Sequence, residues 1–357
     1  MSIPMGQTNH MFYLHLTKTN NLEKQFMEAK IEKKRVVFLD IAKVFSIILV
    51  VIGHFDPSNA PAWWNKVIHF VYTFHVPVFL FVSGYIYIYI SISRKQSYLS
   101  FISKKFKRLM IPYFVVSVII ISLKLISGSG TGDYSAMSFI RMFYMPEAAA
   151  FLWFIYTLFT FFAIVGLCQK RWQRVALLFL SIVIAALPKI ETSLFCINNF
   201  QYGFVYFMLG VFIADYCLLQ KILSRSALII SLILFVSGEI YYLSGDPIEF
   251  YFRTLPLPGI VLTLNLCQAI EWHYLSLTRA CILMAPAVYV IYFFHTTVEG
   301  SMKAVIGKLE TILPANDGLF LAEAIISITL AIVIPLLLYH LVLKRYKLLR
   351  FLFGLTA

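Results

Sequence analysis

Ten stretches of this chain are apolar for 13 to 25 residues each, and a helix needs about 20 apolar residues to cross the ~30 Å hydrocarbon core of a bilayer. They run near residues 36–55, 67–90, 109–126, 151–168, 175–187, 203–219, 227–243, 254–270, 281–298 and 319–343. The fifth is short and the eighth is flanked by prolines. No repeat, low-complexity tract or soluble domain interrupts them. The pattern predicts an all-α polytopic membrane protein of about ten transmembrane helices. Residues 1–35 form a basic N-terminal tail, 36–343 the membrane domain and 344–357 a basic C-terminal tail. Hydrophobic residues make up 60% of the chain and charged residues 13%, against about 25% charged in soluble domains, which excludes a soluble enzyme, a secreted domain or a DNA-binding protein.

The net charge of +13 would suggest a nucleic-acid partner in a soluble chain. Here it follows topology, and no nucleic acid is expected. With both termini cytoplasmic, one set of loops holds 22 of the 30 Lys and Arg residues and the other set seven, with Lys43 inside a helix. That is the positive-inside bias of a plasma (inner) membrane protein. Residues 1–35 are polar and basic, without the apolar region of a signal peptide. The five cysteines lie far apart and lack the spacing of a metal or redox motif, so they read as small core residues, and no metal or permanently bound cofactor is expected.

Ionisable groups inside the spans carry the chemistry, because each is costly unless it faces protein or water. The first span, RVVFLDIAKVFSIILVVIGHF, contains Asp40, Lys43 and His54. Lys43 and His54 lie about 20° apart around the helix axis and about 16 Å along it, with Asp40 about 40° from His54 on the other side. Such a stripe suits a polar interior. Each residue also has a plainer reading: Asp40 and Lys43 as an i,i+3 pair with a snorkelling lysine, His54 as an interfacial histidine. The second span adds FHVPVFLFVSGY, where Pro77 removes an amide donor behind His75 and where Ser83 and Gly84 allow a close helix approach. His295 ends VIYFFH among aromatic residues. Between the second and third spans, SYLSFISKKFKRLMIPYF carries Lys104, Lys105, Lys107 and Arg108. These suit either anionic lipid or a phosphate-rich ligand.

Taken in order, these segments resemble acyltransferase family 3, the integral membrane O-acyltransferases of surface glycans. Lys43 and His54, with ten residues between them, match its basic residue and histidine on the first span, and FHVPVFLFVSGY is similar to its His-x-Pro-x-Phe-Phe-x-Ser-Gly-Phe signature. FISKK with KRLMIPY resembles its basic inner-loop motif. LWFIYTLF with Trp153, YFMLGVF at 206–212 and VYVIYFFH ending at His295 resemble its later segments. Lys43 stands where arginine is common.

The resemblance implies transfer of an acyl group, taken as acetyl, from cytoplasmic acyl-CoA as donor substrate to a hydroxyl of a cell-surface sugar or polysaccharide, free or lipid-linked. It implies His54 as catalytic base, or as a transiently acylated residue, with Asp40 and Lys43 beside it in the catalytic set. His75, Ser83, Lys104, Lys105, Arg108, Trp153 and His295 are then expected at the substrate and CoA-binding surfaces. A rival from another class is a proton-coupled transporter, which intramembrane Asp, Lys and His with Pro- or Gly-interrupted helices also suit. No inverted repeat is visible. The modest loops near 127–150 and 299–318 argue against a glycan polymerase or ligase.

Overall fold

A computed structural model describes residues 36–57, 60–91, 97–127, 134–244, 253–310 and 316–355. Two units separate along the chain, Met1–Val37 and Phe38–Ala357; the basic N-terminal tail, residues 1–35, lies outside the described residues. Among the described residues every regular element is helical. The principal helices are α1 (Val37–His54), α2 (Ala62–Ser91), α3 (Tyr98–Lys105), α4 (Ile111–Ser127), the short α5 (Ser138–Arg141), α6 (Trp153–Leu167), α7 (Arg171–Ala186) and α8 (Ile197–Asp215). After these come the short α9 (Leu219–Ile222), α10 (Arg225–Leu243), α11 (Pro256–His273), α12 (Leu275–Met284), α13 (Val288–Glu310), α14 (Asp317–Leu338) and the short α15 (Lys347–Leu352).

Eight helical segments among the described residues are long and apolar enough to cross a bilayer. The chain is an all-α, multi-pass integral membrane protein. Eight of the ten anticipated stretches coincide with these segments. The other two also fold as helices but fall short. Helix α7 has 16 residues, and Asn265, Gln268 and Glu271 dilute the apolar character of α11. Helix α10 turns Ile229, Ile230, Ile233, Leu234 and Ile240 outward, a surface suited to hydrocarbon and not to water.

Helices α2 and α8 pack through a reciprocal pair of glycines. A Cβ on Gly84 would overlap the Phe207 carbonyl, and one on Gly210 would overlap the Phe81 carbonyl. Between membrane helices, association depends on such backbone proximity, since lipid tails are as apolar as the side chains themselves. The second-span signature and the YFMLGVF segment are thus two halves of one crossing. At one end of α8, Asp215 takes a two-pronged ion pair from Arg174 of α7, at 2.6 Å from Nε and 2.8 Å from Nη2. The same guanidinium donates to the Cys168 and Gln169 carbonyls. At the other end the Gln201 side-chain amide donates to the carbonyls of Ile184, Leu187 and Pro188, closing the C-terminus of α7.

The stretch 134–152 is anchored to α4. Tyr113, fully buried and midway along the span Tyr98–Ile126, donates to the carbonyls of Met142 (2.7 Å) and Met145 (3.1 Å). Lys124 near the end of α4 holds the Tyr134 hydroxyl (2.6 Å) and the Ala148 carbonyl (2.9 Å). The segment is therefore held along α4 from Lys124 as far as Tyr113, with Met137, Ile140 and Phe143 left exposed.

The basic motif also departs from its expected setting. Lys104 to Arg108 lie on continuous helix: α3 passes through a π-helical turn, Phe106–Met110, directly into α4. Beyond Leu343 the chain forms α15, buries Phe353 against Phe294 and sets Gly354, at φ +63°, on the Arg108 carbonyl and Pro112. Three of the five cysteines are buried (Cys196, Cys267, Cys281), while Cys168 is half-buried and Cys217 exposed.

Replacing Gly84 or Gly210 with alanine should force the α2–α8 crossing apart and destabilise the fold by about 1–3 kcal/mol or more. Thermal unfolding of the detergent-solubilised variants checks this. A Gly300→Ala variant, where a Cβ meets nothing within 4 Å, should unfold like the parent.

Candidate active site

Three helices bring their polar side chains together. His54 closes α1, His75 lies in the first half of α2, and His295 lies in the first half of α13. The His54 and His295 rings stand 5.0 Å apart between centroids, tilted by 59°. Phe151 packs edge-on against both, at 6.3 Å from His54 and 5.4 Å from His295. His54 lies within electrostatic range of His75 as well. The first-span histidine thus faces a second imidazole inside the helix bundle and is not turned outward to lipid.

The two buried histidines are fixed in the same way. His75 Nδ1 lies 2.8 Å from the Val71 carbonyl, and His295 Nδ1 lies 2.8 Å from that of Tyr292 and 3.2 Å from that of Ile291. A carbonyl only accepts, so each Nδ1 carries the hydrogen and each Nε2 is left as the basic nitrogen. His295 is fully buried, and its Nε2 has no hydrogen-bond partner among the described residues. His54, by contrast, is half-buried, and among the described residues no hydrogen bond ties either of its nitrogens. One imidazole is locked and the other is reachable.

The wall behind them is aromatic. The Tyr292 hydroxyl donates to the Phe151 carbonyl, so α13 fixes the residue that packs on both imidazoles. Trp153 begins α6 two residues after Phe151 and is half-buried. On the other side Tyr72 of α2 stands edge-on to His75 at 5.0 Å and close to Gly53, beside His54. The carboxyl of Glu299, one turn beyond His295, is buried, and its Oε1 has no hydrogen-bond partner among the described residues.

Other residues expected at the site stand apart from the imidazoles. Asp40 and Lys43 pair with each other at 2.7 Å, about 16–21 Å along α1 from His54. They stabilise the start of that helix, where a carboxylate also suits the positive end of the helix dipole. Ser83 is half-buried beside the Gly84 crossing, about 12 Å along α2 from His75. Lys104 is exposed. Lys105 is half-buried, its ammonium 3.4 Å from the centroid of the Phe162 ring and 5.6 Å from that of Phe101. Arg108 is exposed and lies over the Tyr289 ring at 5.5 Å. Tyr289 is six residues before His295 on α13, which puts Arg108 about 9 Å along that helix from the imidazoles. Among the described residues, no three His, Cys, Asp or Glu side chains are grouped to hold a metal ion.

Tyr72, Phe151 and Tyr292 went unrecognised in the sequence, and Glu299 stood out only as a carboxylate at a span edge with no role assigned. The span was expected to end near residue 298, which put Glu299 in a loop, whereas α13 continues to Glu310. The spacing HTTVE, an i,i+4 pair on one helix face, is the signal that finds it.

A family model described as an acyltransferase domain matches residues 36–340. The chain belongs to acyltransferase family 3 and is an integral membrane acyltransferase. No curated protein and no solved structure matches it.

Removing one hydroxyl tests the aromatic wall. Tyr292→Phe keeps the ring but strands the Phe151 carbonyl, and an unsatisfied buried acceptor costs about 1–3 kcal/mol. The expected outcome is a lower thermal midpoint in detergent with the protein still inserted and folded.

Proposed function

We propose that this protein transfers an acyl group, acetyl in the first instance, from cytoplasmic acyl-CoA to a hydroxyl of a cell-surface glycan or its lipid-linked precursor. It acts from the plasma (inner) membrane, with both termini in the cytoplasm. The observation that carries the reading is the reachable His54 ring beside the locked His295 ring, 5.0 Å away, in a chain of this family.

A hydroxyl attacks a thioester slowly until a base takes its proton, and an imidazole does so well near neutral pH. In this reading His54 removes the proton as the hydroxyl oxygen bonds to the thioester carbonyl carbon. The carbon–sulfur bond breaks, the acyl ester forms, and the imidazolium returns its proton to the departing thiolate. His295 acts through His54. Its Nε2 lone pair beside a ring that becomes cationic stabilises that cation, because a nearby acceptor is worth more in a low-dielectric interior than in water. His75, oriented by the Val71 carbonyl, and Trp153 complete the surroundings of the acyl group.

The donor is polyanionic, and the exposed Arg108 is the cation best disposed to meet its phosphates, with Lys104 beside it. Arginine presents a planar fork of donors to phosphate oxygens, which lysine does not. The Lys105 ammonium against Phe162 adds to the positive potential there. The interval of about 9 Å from Tyr289 to His295 along α13 is short enough for the pantetheine arm to carry the thioester to His54. Asp40 and Lys43 are proposed to support the opening helix from below.

With radiolabelled acetyl-CoA and membranes, His54→Ala and His54→Gln should lower transfer of label to an alkali-labile ester by 100-fold or more, the scale of a lost general base. Undiminished transfer in either variant removes His54 from the mechanism, and a transporter would leave its substrate unlabelled. Arg108→Ala should raise the acyl-CoA concentration needed for half-maximal rate about tenfold, the scale of a lost charge-assisted hydrogen bond, with a smaller change in maximal rate.

A further inference from the structure

We propose that Glu299 holds a second hydroxyl of the acceptor, which makes the acceptor a polyhydroxylated molecule and not a simple alcohol. The inference rests on the acyl-transfer reading above and gives that site its acceptor-binding residue.

Glu299 is 7% exposed, and its Oε1 is sealed from solvent with no hydrogen-bond partner among the described residues. A buried polar atom without a partner costs free energy that packing does not return. The same holds for His295 Nε2, four residues earlier. The two lie on one face of α13, about 6 Å apart along the axis. Both are acceptors and neither is supplied with a donor. Their complement is a molecule carrying two O–H donors a few ångströms apart, as neighbouring hydroxyls on a sugar ring are.

The surroundings agree with an entry from this side. α13 runs from Tyr289, beside Arg108, past His295 to Glu299, so the carboxyl lies on the side of the imidazoles away from the basic turn. Tyr72, 46% exposed, stands against Gly53, next to His54, and edge-on to His75. The half-buried His54 is the neighbouring reachable group. One acceptor hydroxyl would donate to Glu299 while the next, lying against the paired His295 and His54 rings, gives up its proton to His54.

The test compares the purified parent with Glu299→Gln, which keeps the size of the side chain and replaces one carboxyl oxygen with an amide NH2. Equilibrium binding of radiolabelled acetyl-CoA is measured beside transfer to the endogenous acceptor, titrated as a membrane-lipid extract. Glu299→Gln should bind acetyl-CoA as the parent does, lose at least tenfold in transfer at low acceptor, and regain rate as acceptor is raised. Unchanged transfer overturns the proposal. So does a loss that more acceptor does not recover, or a parallel loss of acetyl-CoA binding, which would mark Glu299 as a structural residue. A parent that neither binds acetyl-CoA nor transfers label overturns the acyl-transfer reading itself. If Glu299→Gln does not accumulate in the membrane, Glu299→Asp, with the carboxylate drawn back by one methylene, carries the same comparison.

Discussion

A bilayer offers no hydrogen-bond partner to a peptide carbonyl, so any stretch of non-helical chain at membrane depth has to find donors among its neighbours. Residues 134–152, irregular chain around the short α5 and a helical turn at Ala150–Leu152, meet this demand with donors from the long helices. Tyr113 and Lys124 on α4 and Tyr292 on α13 supply the carbonyls of Met142, Met145, Ala148 and Phe151. These side chains reach out of helices into the irregular segment, and what they fix in place is Phe151, the ring that packs on both His54 and His295. The geometry of the two imidazoles therefore depends on a few hydroxyl and ammonium groups a long way along the chain.

Among the described residues a few buried polar atoms lack a hydrogen-bond partner, among them the Ser117, Thr157 and Ser327 hydroxyls on three separate helices. His295 Nε2 and Glu299 Oε1 are buried acceptors without partners, and the neighbouring His54 ring is half-buried without a hydrogen bond among the described residues. Other polar groups are matched: Arg174 with Asp215, Asp40 with Lys43, and Gln201 with three carbonyls. Matched groups hold helices together. The unmatched atoms of His295 and Glu299, one turn apart on α13 and near His54, are what a substrate would complete.

Much of the helical architecture was legible because a 20-residue apolar run has few alternatives, and His54, His75 and His295 were legible because an imidazole in such a run is expensive. Three things were hidden. The basic motif read as a loop because Lys104 to Arg108 break the apolar run, yet lysine and arginine are good helix formers and the π-helical turn carries the helix straight through them. The anchoring of 134–152 was invisible because its donors are tyrosines and a lysine far away in sequence, and no local pattern announces a long-range hydrogen bond. Glu299 fell just beyond an estimated span end, which hydropathy fixes only to within a turn or so.

The seat of Gly354 on the Arg108 backbone reaches further than tail packing. The segment around Gly354 braces the turn that bears the exposed guanidinium, at a glycine whose φ of +63° and crowded surroundings leave no room for a side chain. Gly354 is thereby mechanically joined to the turn at which a phosphorylated donor would bind. A fluorescent group attached just beyond Gly354 would sit close enough to register events there, whereas a bulky fusion pressed against the same residues would tug on the turn.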